Sequence, residues 1–189
     1  MAQWSMPGPA ILFCPADRPE RYAKALSRAD AVILDLEDAI KPEARDAARR
    51  ALIENPIDPD RTIVPINPSG TEDHHADLAA AQIAGTPNCI GPAHGKFAID
   101  SVHIDIADTE GLLAEALDAV NLGYEATACI HPSQVEVVRS AYRPSADEID
   151  WATEVLDAAS KSAGGVFRVG GQMIDSPLLG QAKAIMRRA

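Results

Sequence analysis

Two groups of side chains in this chain have the types and spacing to act on a small charged molecule. The first is the acidic pair Glu37 and Asp38, which follows the apolar run Ala31-Val32-Ile33-Leu34-Asp35-Leu36. Such a run reads as a buried strand, and parallel α/β folds carry their active sites at the carboxyl ends of their strands. Carboxylates there can hold Mg²⁺ directly or through water. They can equally cap the next helix and face its dipole, and the residue pattern leaves both readings open. The second group is the turn Pro15-Ala16-Asp17-Arg18-Pro19-Glu20-Arg21, with Lys24 one helical turn further on. Three cations around a helix start suit a phosphate, because backbone N–H groups, the dipole and guanidinium forks all favour it. The alternative is a solvated helix surface on which Glu20 faces Lys24 at i, i+4.

The remaining candidates are single groups. His131-Pro132 follows the run Thr127-Ala128-Cys129-Ile130 and is well placed for ligand contact at a strand end. His103, Asp105 and Asp108 are metal-like in type, but alternation along a predicted strand puts His103 and Asp105 on one face as a structural pair. His74 and His75, beside Asp73, read as solvated loop residues. Asp175 stands just before a predicted helix at Ser176-Pro177, where it would neighbour a cap. No phosphate loop, dinucleotide fingerprint or nucleophile elbow is present.

These groups need a scaffold, and the chain alternates short β-rich runs with helical patterns. Predicted strands are Ile11–Cys14, Ala31–Leu36, Thr62–Val64 (interrupted by Pro65), Ile99–Asp105 and Thr127–Ile130. Between them, Tyr22, Ala25, Leu26 and Ala29 share a helix face, as do Ala44, Ala47, Ala48, Ala51 and Leu52 after Pro42. Residues 83–97 are turn chemistry without a period. A helix carrying Leu112, Leu113, Ala116, Leu117 and Val120 is stopped by Gly123. Capping boxes at Ser133-x-x-Glu136 and Ser145-x-x-Glu148 each open a helix. The last helix runs from Ser176-Pro177 to Arg187-Arg188, whose charges suit its dipole. A β-α-β alternation of this kind predicts a parallel sheet covered by helices.

Composition narrows the functions. The chain has 189 residues with 47% hydrophobic content, enough for one domain with a core. Its formal net charge is -11, from 17 basic and 28 acidic residues, and neither half is basic. That excludes a nucleic-acid-binding surface or a polybasic membrane patch. No apolar run reaches membrane-spanning length. Cys14, Cys89 and Cys129 are too far apart for a zinc knuckle or a disulfide framework and fit a reducing cytoplasm.

Three stretches together resemble the citrate lyase β-subunit-like family of the HpcH/HpaI aldolase group. They are Leu12-Phe13-Cys14-Pro15-Ala16-Asp17-Arg18, Ile33-Leu34-Asp35-Leu36-Glu37-Asp38, and a longer series from Ile99 onward. That series takes in Val102-His103-Ile104-Asp105, Gly111-Leu112, Ile130-His131-Pro132-Ser133-Gln134 and Gly171-Gln172-Met173-Ile174-Asp175-Ser176-Pro177. The match covers roughly residues 8–82 and 94–188. The resemblance implies a (β/α)₈ TIM-barrel-type α/β fold that binds Mg²⁺ and a CoA thioester and assembles as a homotrimer. It also implies carbon–carbon lyase chemistry through an enolate on citryl-, malyl- or citramalyl-CoA-type compounds, with a small oxo-acid as partner. On that reading Arg18 and Lys24 meet CoA phosphates, and Phe13, Ile130 and His131 line the CoA path. Glu37 and Asp38 support the metal's water shell, and Asp175 is the catalytic acid/base. Residues 1–144 would form the barrel portion and 145–189 a C-terminal helical arm reaching a neighbouring subunit.

Two departures from the family pattern stand out. Val64-Pro65-Ile66-Asn67 replaces a Val-Arg-Ile-Asn pattern, so the arginine that clamps the substrate carboxylate is gone. The segment holding strands four to six is missing between about Ala81 and His94, and with it one Glu and one Asp that bind Mg²⁺ directly. A barrel of this type typically spans roughly 250 residues. Five family strands remain, too few to close it. Two other classes therefore stand beside the lyase: a catalytically inactive CoA-binding or subunit-association module derived from the family, and an unrelated open α/β binding domain.

Overall fold

The computed structural model describes residues 6–37, 40–67, 71–85, 98–162 and 166–189. They fall into two units, Met1–Ala141 and Tyr142–Ala189. The first is built on five parallel strands: β1 Ala10–Pro15, β2 Ala31–Asp35, β3 Thr62–Ile63, β4 Ile99–Asp100 and β5 Ala126–Cys129. Their helices are α1 Tyr22–Leu26, α2 Arg45–Glu54, α3 Glu72–Ile83, α4 Thr109–Leu122 and α5 Ser133–Tyr142. Alternate residues on one face of the sheet, Ile11, Ala31, Ile33, Ile63 and Ala126, form one buried cluster with Phe13 and Ile99 against it. Leu12, Cys14, Val32 and Leu34 on the opposite face are buried too, as expected of a parallel sheet.

The strand order is β3-β2-β1-β5-β4. A doubly wound sheet that begins 3-2-1 places its fourth strand beside the first. Here the last strand lies beside the first and the fourth lies beyond it. That is the cyclic order of a barrel, opened between β3 and β4. The fold is thus α/β with an incomplete barrel.

The first and last strands meet at a well-defined seam. Leu12 of β1 is level with Cys129 of β5, and the Thr127 N–H donates to the Pro9 carbonyl at 2.9 Å. Asp30 anchors the seam: its Oδ2 accepts from the Ala10 N–H at 3.0 Å, and its Oδ1 accepts from Arg139 Nε and Nη2 at 3.0 and 2.7 Å. Its backbone carbonyl accepts from Arg61 Nε at 2.8 Å. Gly8 lies so close that a Cβ there would sit 2.5 Å from Asp30 Cγ, which excludes any larger residue without a shift.

The second unit comprises α6 Ala146–Lys161, a hairpin of β6 Phe167–Val169 and β7 Gln172–Ile174, and α7 Ser176–Arg188. Ala152, Val155, Ile174, Ala182 and Ile185 form its core. Ser145 and Glu148 form the expected capping box, whose hydrogen bonds hold the Glu148 carboxyl below its usual range.

Several expectations are corrected. The strand beginning at Ile99 ends at Asp100, so His103 and Asp105 do not pair by alternation along a strand. The His103 ring instead turns toward α4. β3 ends at Ile63, two residues before Pro65, which has no N–H to extend a ladder. His74 and His75 lie on α3, which Thr71 caps by accepting from the His74 N–H. Ser133 is the first residue of α5 itself, and its hydroxyl contacts His131 Nδ1 at 2.8 Å. The hairpin is an element that the sequence pattern did not suggest. Within the predicted turn segment 83–97, residues 86–97 lie outside the described residues.

Candidate functional site

Because the five strands are parallel, their carboxyl ends share one edge of the sheet, and five predicted site residues stand at or just past it. Phe13 is near the end of β1 and Arg18 three residues beyond it; Ile130 and His131 follow β5 directly. Glu37 follows β2 at the same edge, and Lys24 lies on α1, which leads away from β1. Asp38 lies outside the described residues. Asp175 belongs to the other unit, where it caps α7 by accepting from the Leu178 N–H at 3.2 Å.

Each strand exit is held by identifiable bonds. After β1, the Ala16 N–H donates to the Asp35 carbonyl at 3.1 Å, and the Arg18 N–H closes the turn onto the Pro15 carbonyl. The buried Tyr22 hydroxyl donates to the Ala16 carbonyl, and burial raises its pKa. Arg18 is exposed, 3.7 Å from Glu20, which also faces Arg21 at 3.9 Å. Glu20 therefore pairs with these two arginines, while Lys24 forms no ion pair among the described residues. The helix itself is short: a 3-10 turn over Pro19–Arg21 precedes a five-residue α1.

After β2, the buried Asp35 accepts the Glu37 N–H at 2.8 Å and fixes the turn on which Glu37 sits half-buried. After β5, Gln134 of α5 reaches back to hold the exit. Its Oε1 accepts from the Ile130 N–H at 2.9 Å and the His131 N–H at 3.2 Å. His131 Nδ1 in turn accepts from the Ser133 N–H at 3.2 Å. An open depression of about 540 Å³ beside it is lined by Ser27, Arg28, His131, Ser133 and Arg139.

The β3 exit carries a different device. Asp77 is fully buried, and its Oδ2 accepts from the backbone and side-chain nitrogens of Asn67 at 2.9 and 2.7 Å. Arg49 Nε donates to its Oδ1 at 2.7 Å, while the same guanidinium pairs with Asp46 and Asp73. Arg45 shares Asp73, and these two arginines hold its carboxyl below the usual range. Arg49 is thus committed to three carboxylates.

Beside β4, His103 Nδ1 lies 2.8 Å from Glu115 Oε2, with Asp108 Oδ2 at 3.6 Å from Nε2. The Glu115 hydrogen bond, with Asp108 and Asp105 nearby, raises the His103 pKa. Among the described residues, no three His, Cys, Asp or Glu side chains converge as a metal-ligand set. Sequence reasoning missed Tyr22 and Gln134 as supports of the edge. Gln134 had a signal in the Ile130-His131-Pro132-Ser133-Gln134 motif, but only the folded turn shows what its amide touches.

The sheet order defines a barrel-type α/β protein whose candidate site residues stand on its carboxyl side. Residues 75–189 match the model of a family described as a C–C bond lyase of the TIM-barrel fold, and this chain belongs to that family. It is 38% identical to a citrate lyase subunit beta-like protein of Mycobacterium tuberculosis, with 96% of each chain covered. It is 35% identical to the mitochondrial citramalyl-CoA lyase of Homo sapiens over 60% of this chain and 37% of that one. A crystal structure of CitE from M. tuberculosis with magnesium, acetoacetate and coenzyme A has a TM-score of 0.71 and 37% identity, covering 96% of this chain and 98% of that chain. The first alignment runs over 262 positions for a chain of 189, so at least 73 positions of the relative have no counterpart here. Both chains are covered almost end to end, which makes the shortfall internal. The opening between β3 and β4 is where such a loss would fall.

Proposed function

We propose that this chain binds the CoA thioester of a hydroxy acid, of the citryl-, malyl- or citramalyl-CoA type. We further propose that it serves in cleaving the carbon–carbon bond beside the thioester through an enolate, with a small oxo-acid as the other product. The observation that carries this reading is the shared carboxyl edge, where Phe13 stands on β1 and Arg18, Ile130 and His131 follow the adjacent strands β1 and β5. Arg18 and Lys24 would meet the CoA phosphates, and two cations reached from solvent suit a multiply charged, partly hydrated group. Phe13, Ile130 and His131 would line the path of the pantetheine arm.

Asp175 would act as the acid/base, brought by a C-terminal arm (residues 145–189) to a neighbouring subunit of a trimer. Mg²⁺ is the ion bound in the M. tuberculosis CitE structure, and there Glu37 and Asp38 of this chain would face its water shell. Cys14 and Cys129 are free and buried, with burial pushing the Cys129 thiol up to about 12, which suits a reducing compartment such as the cytoplasm.

The test is Mg²⁺-dependent release of acetyl-CoA from malyl- or citramalyl-CoA. Asp175→Asn should abolish turnover while leaving CoA affinity unchanged; undiminished turnover would remove Asp175 from the mechanism. A second reading, a catalytically inactive CoA-binding or subunit-association module, is favoured by Pro65 at the clamp position and by the lack of a direct ligand set among the described residues. CoA binding without turnover of any of these thioesters would select it.

A further inference from the structure

The β5 exit contains a side chain whose bonding goes beyond what a helix start needs. Gln134 is 1% exposed, and its amide joins three backbone groups from two segments. Oε1 accepts from the consecutive N–H groups of Ile130 and His131, at 2.9 and 3.2 Å. Nε2 donates to the His103 carbonyl at 2.9 Å, across 31 residues of sequence. Two N–H donors on one side and a carbonyl on the other leave only one orientation of the amide. The His103 end is itself anchored, because the imidazole of that residue contacts Glu115 of α4 at 2.8 Å. Asp108, which caps α4 by accepting from the Gly111 N–H at 2.8 Å, faces the other ring nitrogen.

We infer that Gln134 is a positioning residue for thioester binding: its amide locks the Ile130–His131 turn in register with the β4–α4 loop and presents both side chains to the ligand. This rests on the reading that Ile130 and His131 line the CoA path. A turn just past a strand has no ladder partner of its own, so its two N–H groups would otherwise go to water and the turn would sample several conformations. One buried amide removes that freedom without contacting the ligand. Such support from a residue that stands behind the site is what holds binding groups in productive geometry. The neighbouring His131 ring is fixed separately, through Nδ1 to the Ser133 N–H, which turns its other nitrogen away from the helix.

The experiment compares Gln134→Met, which deletes all three bonds, with Gln134→Glu, which keeps two acceptor oxygens and loses the donor to His103. CoA affinity is measured by calorimetry and amide exchange at residues 130 and 131 by hydrogen exchange, on the full chain. Gln134→Met is expected to weaken CoA binding about tenfold and to speed exchange at both amides. Gln134→Glu keeps the acceptor for the Ile130 and His131 amides but sets a carboxylate oxygen against the His103 carbonyl, so it is expected to keep exchange at both amides slow and still to weaken CoA binding. A folded Gln134→Met protein with unchanged affinity would overturn the role of Gln134. Should Gln134→Met fail to fold, unchanged CoA affinity in a folded Gln134→Glu protein would overturn it equally. If the wild-type chain itself binds no CoA, the reading of the site fails and the ligand role of Gln134 with it. Wild-type binding that is lost in Arg18→Ala/Lys24→Ala but unmoved by Gln134→Met isolates the failure to Gln134.

Discussion

The seam where β1 meets β5 and the two margins of the sheet at β3 and β4 are built by different means. At the seam, strands of six and four residues run side by side, and bonds from three separate segments converge on Asp30. The margins are strands of two residues each. What holds them is polar side-chain chemistry: Asp77 with Arg49 and Asn67 at β3, and His103 with Glu115 and Gln134 at β4. The difference is instructive. Pairing of first and last strands, which closes a barrel, is retained although the arc opposite is missing. The ligand-facing groups of the proposed CoA path, Phe13, Arg18, Ile130 and His131, belong to the retained seam. The groups that would clamp the acid end of a substrate belong to the altered side, where Pro65 stands.

Substitutions can break this contrast or sharpen it. The largest effect is expected at the β3 margin from Asp77→Ala, which leaves the Arg49 Nε–H and two buried Asn67 donors without this acceptor. Its cost in chemical denaturation should be about 3 kcal/mol; a cost near zero would mean that the network is ornamental. At the seam, Asp30→Ala leaves the buried Ala10 N–H without its side-chain acceptor and takes from Arg139 one of its two carboxylate partners, and should cost about 2 kcal/mol. Amide exchange in that variant should quicken in β1 and β5 before β3, and the reverse order would contradict the division drawn between the two regions. In the second unit, Ser145→Ala removes a capping box and should cost about 1 kcal/mol, without effect on CoA affinity.

The smallest effect is a pH dependence at the β4 margin. His103 has a folded-state pKa raised above its ordinary 6.5. Its contribution is therefore fully present below pH 6.5 and is lost as pH rises through the raised value. His103→Gln should flatten the stability profile in that window; an unchanged slope would show that Glu115 and Asp108 do not favour the charged ring.

Much of this was legible in the sequence because it rests on local pattern. The apolar runs, Pro42 and Pro177 near helix starts, Gly123 with φ +88° after α4, and the Ser145 box all act within one turn of the chain. The five strands and the position of the missing arc followed from the family motifs. What was not legible depends on distant partners. Nothing near His103 in sequence says that its ring turns to Glu115. His74 and His75 read as loop because polar residues dominate there, yet Arg45 and Arg49 on α2 give α3 a charged face to pack against. Tyr22 read as core and proved also to brace the Arg18 turn through its hydroxyl. Among the candidate site residues, those beside a strand end were visible from pattern, and the side chains that hold them were not.

The central claim is that the retained seam still forms a CoA site. It is tested most directly by calorimetric titration of CoA into the wild-type chain and into Arg18→Ala/Lys24→Ala, at low and at high salt. Saturable binding by the wild type, weakened by salt and abolished in the double variant, is the predicted result. Absence of binding by the folded wild type, or equal binding by the double variant, would contradict it.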